Sequence, residues 1–156
     1  MERVFEIEQN EVNFDFSFSH SGGVYLLPLD YNTSNEAVSY PSSSLSFIKV
    51  LKAKMPASFI NEPESLVELR SADWFGPILL ITAQVYTQNP DICQIIIDSV
   101  RETLCGVLDK RNKEKVNIEI VCEKTSDSKM ISVKYSGDEV DLDKLLDTVK
   151  SVMNND

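Results

Sequence analysis

A chain of 156 residues that is 42% hydrophobic and 26% charged has the size and composition of one globular domain, able to bury a core without a disulfide or metal staple. Its formal net charge of −10 suits neither the phosphate backbone of nucleic acid nor an anionic membrane surface, so both are excluded as expected partners. The acidic residues are spread over both halves of the chain, which reads as a solubilising surface and not as an acidic tail.

In Glu11–Ser19 the apolar residues Val12, Phe14, Phe16 and Phe18 alternate with Asn13, Asp15 and Ser17. A period of two predicts a half-buried strand. Ser21, Gly22 and Gly23 then supply a turn, and Val24–Leu29 resumes an apolar run, so an N-terminal β-hairpin is expected. Arg3–Glu8 is a candidate for a further strand. Asp30–Ser44 is rich in Ser and Asn and reads as an exposed loop with a short edge strand at Ala37–Tyr40. Leu45–Met55 carries its apolar residues at helical spacing, with Ser44 as the predicted cap, although FIKVLK could also pair as a strand. Pro56 and Pro63 bracket a connector, and Glu64–Arg70 is expected to form a helical turn.

Pro77–Tyr86 is an apolar run with β-branched residues and is predicted to be a central strand. Asn89 and Pro90 then form a helix-start signal. Ile92, Ile95, Ile96, Val100, Leu104, Val107 and Leu108 make one apolar helical stripe. Val116–Cys122 and Met130–Tyr135 read as two strands. Asp141 is the expected cap of a last helix that carries Leu142, Leu145, Leu146, Val149, Val152 and Met153.

These elements define an α+β fold: a mixed or mainly antiparallel sheet, two amphipathic helices on one face, and a β-α-β-β-α order in the second half. Residues 1–156 are expected to form a single domain, with a β-rich part at 1–62 and the β-α-β-β-α part at 77–153. The first part alone would have a marginal core.

Candidate sites are few. His20, the only histidine, sits between serines at a predicted hairpin tip, where a polar turn accounts for it better than a general base. The acidic cluster Asp138, Glu139, Asp141 and Asp143 fits the start of a helix better than a cation site. Glycine-rich phosphate loops are absent from the sequence. The basic cluster Lys110, Arg111, Lys113 and Lys115 reads as a solvated helix exit.

Cys93 and Cys105 on one helix would stand about 18 Å apart, too far to bridge. All three cysteines, Cys122 included, lie among apolar residues and are expected to be buried free thiols. That favours a cytoplasmic location. The segment MERVFEIEQN has no apolar signal core, and Pro77–Tyr86 is too short to span a bilayer.

No catalytic, cofactor or metal residues are therefore assigned. Tyr31 and Tyr40, which flank the polar loop, and the adjacent Trp74 and Phe75 are the candidate partner-binding residues, although burial as a core plug suits Trp74 and Phe75 better.

The helix Pro90–Leu108, the strand VNIEIVC, and KMISVKYSG running into DLDKLLDTVKSV together resemble small effector-associated domains of bacterial conflict and defence systems. That resemblance covers about half the chain. It implies a non-enzymatic adaptor that docks onto another protein. The alternatives are an immunity-type protein that neutralises a basic toxin, or a ligand-binding protein or enzyme whose polar groups, such as Asp15 and His20, converge only in the fold. A homo-oligomer pairing through an uncapped edge strand also stays open.

Overall fold

A computed structural model describes residues 5–13, 23–29, 31, 38–68, 73–105, 115–124 and 129–154. In chain order the elements are β1 (Glu6–Val12), β2 (Val24–Leu27), β3 (Ser39–Pro41), α1 (Ser43–Lys52), β4 (Ala57–Phe59), β5 (Ser65–Val67) and β6 (Trp74–Ile81). There follow α2 (Ala83–Gln88), α3 (Ile92–Cys105), β7 (Val116–Glu123), β8 (Met130–Gly137), a 3₁₀ turn at Glu139–Asp141, and α4 (Leu142–Asn154).

Six strands form one mixed sheet in the order β1-β8-β7-β6-β2-β4, while β3 and β5 pair separately. The β6–β7 and β2–β4 pairs are parallel and the other pairs of the large sheet are antiparallel. Strands from both ends of the sequence thus share one sheet, and the fold is α+β as expected.

One face of the sheet carries the helices. Leu142, Leu145, Leu146, Val149, Val152 and Met153 of α4 are all buried, as are Ile92, Ile96, Ile97, Val100 and Leu104 of α3. Phe47, Ile48 and Leu51 of α1 join the same cluster with Leu26, Leu79, Ile81, Ile118, Ile120 and Val133 from the strands. Each fully buried aliphatic side chain contributes roughly 1.5–3 kcal/mol, so this interface is the main source of stability. At its surface Arg101 pairs with Asp143 at 3.2 Å, and Lys54 pairs with Glu102.

Several local expectations are revised. Val24–Leu27 is flanked by β6 on one side and β4 on the other, so its ladder positions are not taken by the first strand as a hairpin would require. Residues 14–22 lie outside the described residues. The strand near the N-terminus is Glu6–Val12, paired with β8. Glu64–Arg70 was expected to turn helically, but Ser65–Val67 is extended and pairs with β3.

The apolar run at Pro77–Tyr86 is split. Strand β6 starts earlier, at Trp74, and ends at Ile81, because Thr82 caps α2 by accepting from the Val85 N–H at 3.3 Å. Asn89 closes α2 instead of opening α3, which begins at Ile92. Ser44 lies inside α1, fully buried, and the cap position is Ser42. Asp141 ends the 3₁₀ turn that precedes α4.

Candidate functional site

The opposite face of the sheet changes character from one side to the other. Towards β2 it is apolar: Tyr25, Leu27, Ile78, Leu80 and Val121 pack with Tyr31. Towards β1 it is charged. Strand register puts Glu8 opposite Lys134, Lys134 opposite Glu119, and Glu119 opposite Ile78. The next row holds Glu6, Ser136 and Asn117, with Phe75 beside Asn117. Alternation along each strand explains the sorting, since Val116, Ile118 and Ile120 face the helices while Asn117 and Glu119 face away.

These residues floor a groove of about 820 Å³ whose walls include Phe5, Leu29, Pro41, Phe75 and Gly76. That volume lies within the range of ligand sites, roughly 300–1,000 Å³. A register shift in β6 between Phe75 and Ile78 shapes one wall. Gly76 and Pro77 form this bulge, a position where proline's missing N–H is tolerated. A Cβ at residue 76 would fall 2.4 Å from the Trp74 ring, so only glycine lets the indole tuck beneath the strand while Phe75 lines the groove. At the edge of the sheet Phe5 stacks on Tyr135, a residue of the helix-side cluster, at 6.3 Å between ring centroids, and a Cβ at Gly137 would meet the Phe5 Cβ at 2.5 Å.

Glu119 is the most constrained charged group of the floor. The Tyr31 hydroxyl donates to its Oε2 at 2.5 Å and the Ser132 hydroxyl donates to the same oxygen at 2.6 Å. Burial, reinforced by this carboxylate, pushes the Tyr31 phenol above its ordinary range, so it stays a donor. Asn117 is fixed as well, its Nδ2 donating to the Trp74 carbonyl at 3.2 Å. The result is a pair of oriented acceptors on one face of β7.

The sequence-predicted contact residues are distributed otherwise. Tyr40 is 0% exposed, its hydroxyl donating to the Asn61 carbonyl at 2.6 Å. Trp74 belongs to the helix-side core, and Tyr31 is buried in the apolar cluster of the opposite face. All three act from within, and only Phe75 of the four lines the groove. His20 lies outside the described residues.

The cysteines are also corrected in part. Cys93 and Cys122 are buried, but Cys105 is exposed, because it shares the solvent side of α3 with Asp98 and Glu102. Burial raises the Cys93 thiol to about 11 and pushes Cys122 up too, so neither is an activated nucleophile.

Sequence reasoning did not single out Glu6, Glu8, Asn117, Glu119 or Lys134. The available signal was the alternation in VNIEIVC, which puts a carboxylate in the middle of a strand.

The fold and groove define a class: a mixed-sheet α+β protein with helices on one sheet face and a charged, aromatic-walled groove on the other. No protein-family model, curated protein or solved structure matches this chain. Among the described residues no helix is long and apolar enough to cross a membrane, and no group of three or more His, Cys, Asp or Glu side chains is placed to hold a metal ion.

Proposed function

We propose that this protein is a non-enzymatic interaction module that docks a basic segment of another protein on the sheet face opposite α1, α3 and α4. The observation that carries this reading is the groove itself. Among the described residues that line it, three carboxylates, Glu6, Glu8 and Glu119, stand against one ammonium, that of Lys134, with Phe5, Leu29, Pro41 and Phe75 as apolar walls. A negative floor with aromatic sides complements a cationic, partly apolar surface, and the chain's net charge of −10 would steer such a partner towards it. The resemblance of the second half to effector-associated domains points the same way, towards an adaptor of a bacterial conflict system, with an immunity-type role against a basic toxin as the close variant.

The test is a pull-down of the native partner with wild-type protein and with the double variant Glu6→Lys, Glu8→Lys, at low and moderate salt. Both side chains are exposed, so the variant should fold normally. A partner held by the wild type, weakened by salt and lost from the variant supports the reading. Equal retention by both proteins, or binding indifferent to salt, counts against it.

A further inference from the structure

We infer that the groove recognises an arginine side chain followed by a flat apolar one, with Glu119 and Asn117 as the residues that read the guanidinium. This rests on the interaction reading above and specifies the chemistry of its occupant.

The floor is more than a collection of acidic residues, because its acceptors are held in place. Both hydrogen bonds to Glu119, from Tyr31 and Ser132, go to Oε2. Among the described residues Oε1 accepts none, while Glu119 lines the groove. In Asn117 the amide nitrogen is committed to the Trp74 carbonyl, which leaves Oδ1 as an acceptor two residues along the same strand face. Fixing the carboxylate and the amide in advance lowers the ordering cost that a flexible surface glutamate would meet on binding a cation.

Two oriented oxygens suit a donor that presents several N–H groups in one rigid plane. Guanidinium does so, and ammonium offers only a compact point charge. Guanidinium is also weakly hydrated and stacks on aromatic faces, and Phe75 stands beside Asn117 in the register. Lys134 lies between Glu8 and Glu119 and would repel a ligand of pure positive charge along the whole row. This favours one cation flanked by an apolar group over a polybasic run. The apolar group would lie against Phe75, Pro41 and Leu29.

The experiment uses the full chain and two end-blocked dipeptides, arginyl-phenylalanine amide and its citrulline analogue, which keeps the shape and loses the charge. Backbone amide shifts followed by heteronuclear NMR should saturate with the arginine peptide at Asn117, Glu119, Lys134 and Phe75. The citrulline peptide should bind at least about tenfold more weakly. Glu119→Gln, which preserves an acceptor for Tyr31 and Ser132, should reduce that discrimination to about twofold or less while still admitting both peptides. A merely structural role for Glu119 would weaken both peptides alike.

Discrimination that survives in Glu119→Gln, saturating shifts elsewhere on the protein, or no saturable binding of the arginine peptide would overturn the assignment. In those cases a partner still lost on Glu6→Lys, Glu8→Lys substitution would leave the interaction module intact and remove only this occupant.

Discussion

The two faces of the sheet use the same strands to opposite ends. On the helix side the strands of the large sheet contribute apolar residues to one cluster that α1, α3 and α4 close, and Phe47, Leu79 and Ile81 there have no solvent exposure. On the other side the same strands run from a small apolar cluster under Tyr31 to an open row of Glu8, Lys134 and Glu119. One face spends its residues on cohesion, and the other keeps charges at positions where packing does not need them. Tyr31 and Trp74 connect the two roles, because each is buried while orienting a polar group of the groove.

This contrast can be broken most severely from the helix side. Phe47→Ala, at a fully buried position, is expected to cost about 3–5 kcal/mol, read as a lower urea midpoint with an unchanged slope. An equal loss from an open-face substitution would erase the distinction between the faces.

Tyr31→Phe removes one hydrogen bond to a carboxylate and should cost about 1.5–3 kcal/mol at neutral pH. It also sharpens a pH prediction. Burial raises the folded-state pKa of Tyr31, Tyr40 and Tyr135, so the unfolded chain releases these protons first. The stability they contribute is complete below pH about 10 and is lost as pH rises above it. Thermal melts between pH 8 and 11 should show this decline, and Tyr31→Phe should make it shallower. A pH-independent melting temperature over that range would contradict the burial of these phenols.

Ser44→Ala works in the stabilising direction. Among the described residues the Ser44 hydroxyl is buried without a hydrogen-bond partner, and alanine is the better helix former. A gain of about 1 kcal/mol is expected, measured by the same denaturation.

The smallest change belongs to the open face: Glu8→Lys should alter stability by less than about 0.5 kcal/mol, although it reverses a charge of the groove. Thiol labelling supplies a parallel check, with Cys105 reacting in the native protein and Cys93 and Cys122 only on unfolding.

Much of the helix-side face was legible in the sequence. The stripes of α3 and α4 and the alternation in β7 and β8 depend on local periodicity, which a residue's near neighbours fix. Legibility failed where two local signals competed. Thr82 turned an apolar run from strand to helix, and Asn89-Pro90, a sound start signal, served as the end of α2. It failed again for Tyr40, since an aromatic residue near a polar loop suits either a core or a contact surface, whereas Trp74 is buried as the core plug its position favoured.

The sequence by itself determined the α+β class, the amphipathic helices and which strand residues share a face, because backbone geometry converts spacing directly into direction. Only the tertiary structure decided that β1 lies beside β8 and that β2 fills a place between β6 and β4. Those pairings bring Glu6 and Glu8 to the same surface as Glu119 across more than 100 positions of sequence. No local pattern encodes such a meeting: it follows from which hydrophobic faces can be buried together, and that is a property of the whole chain.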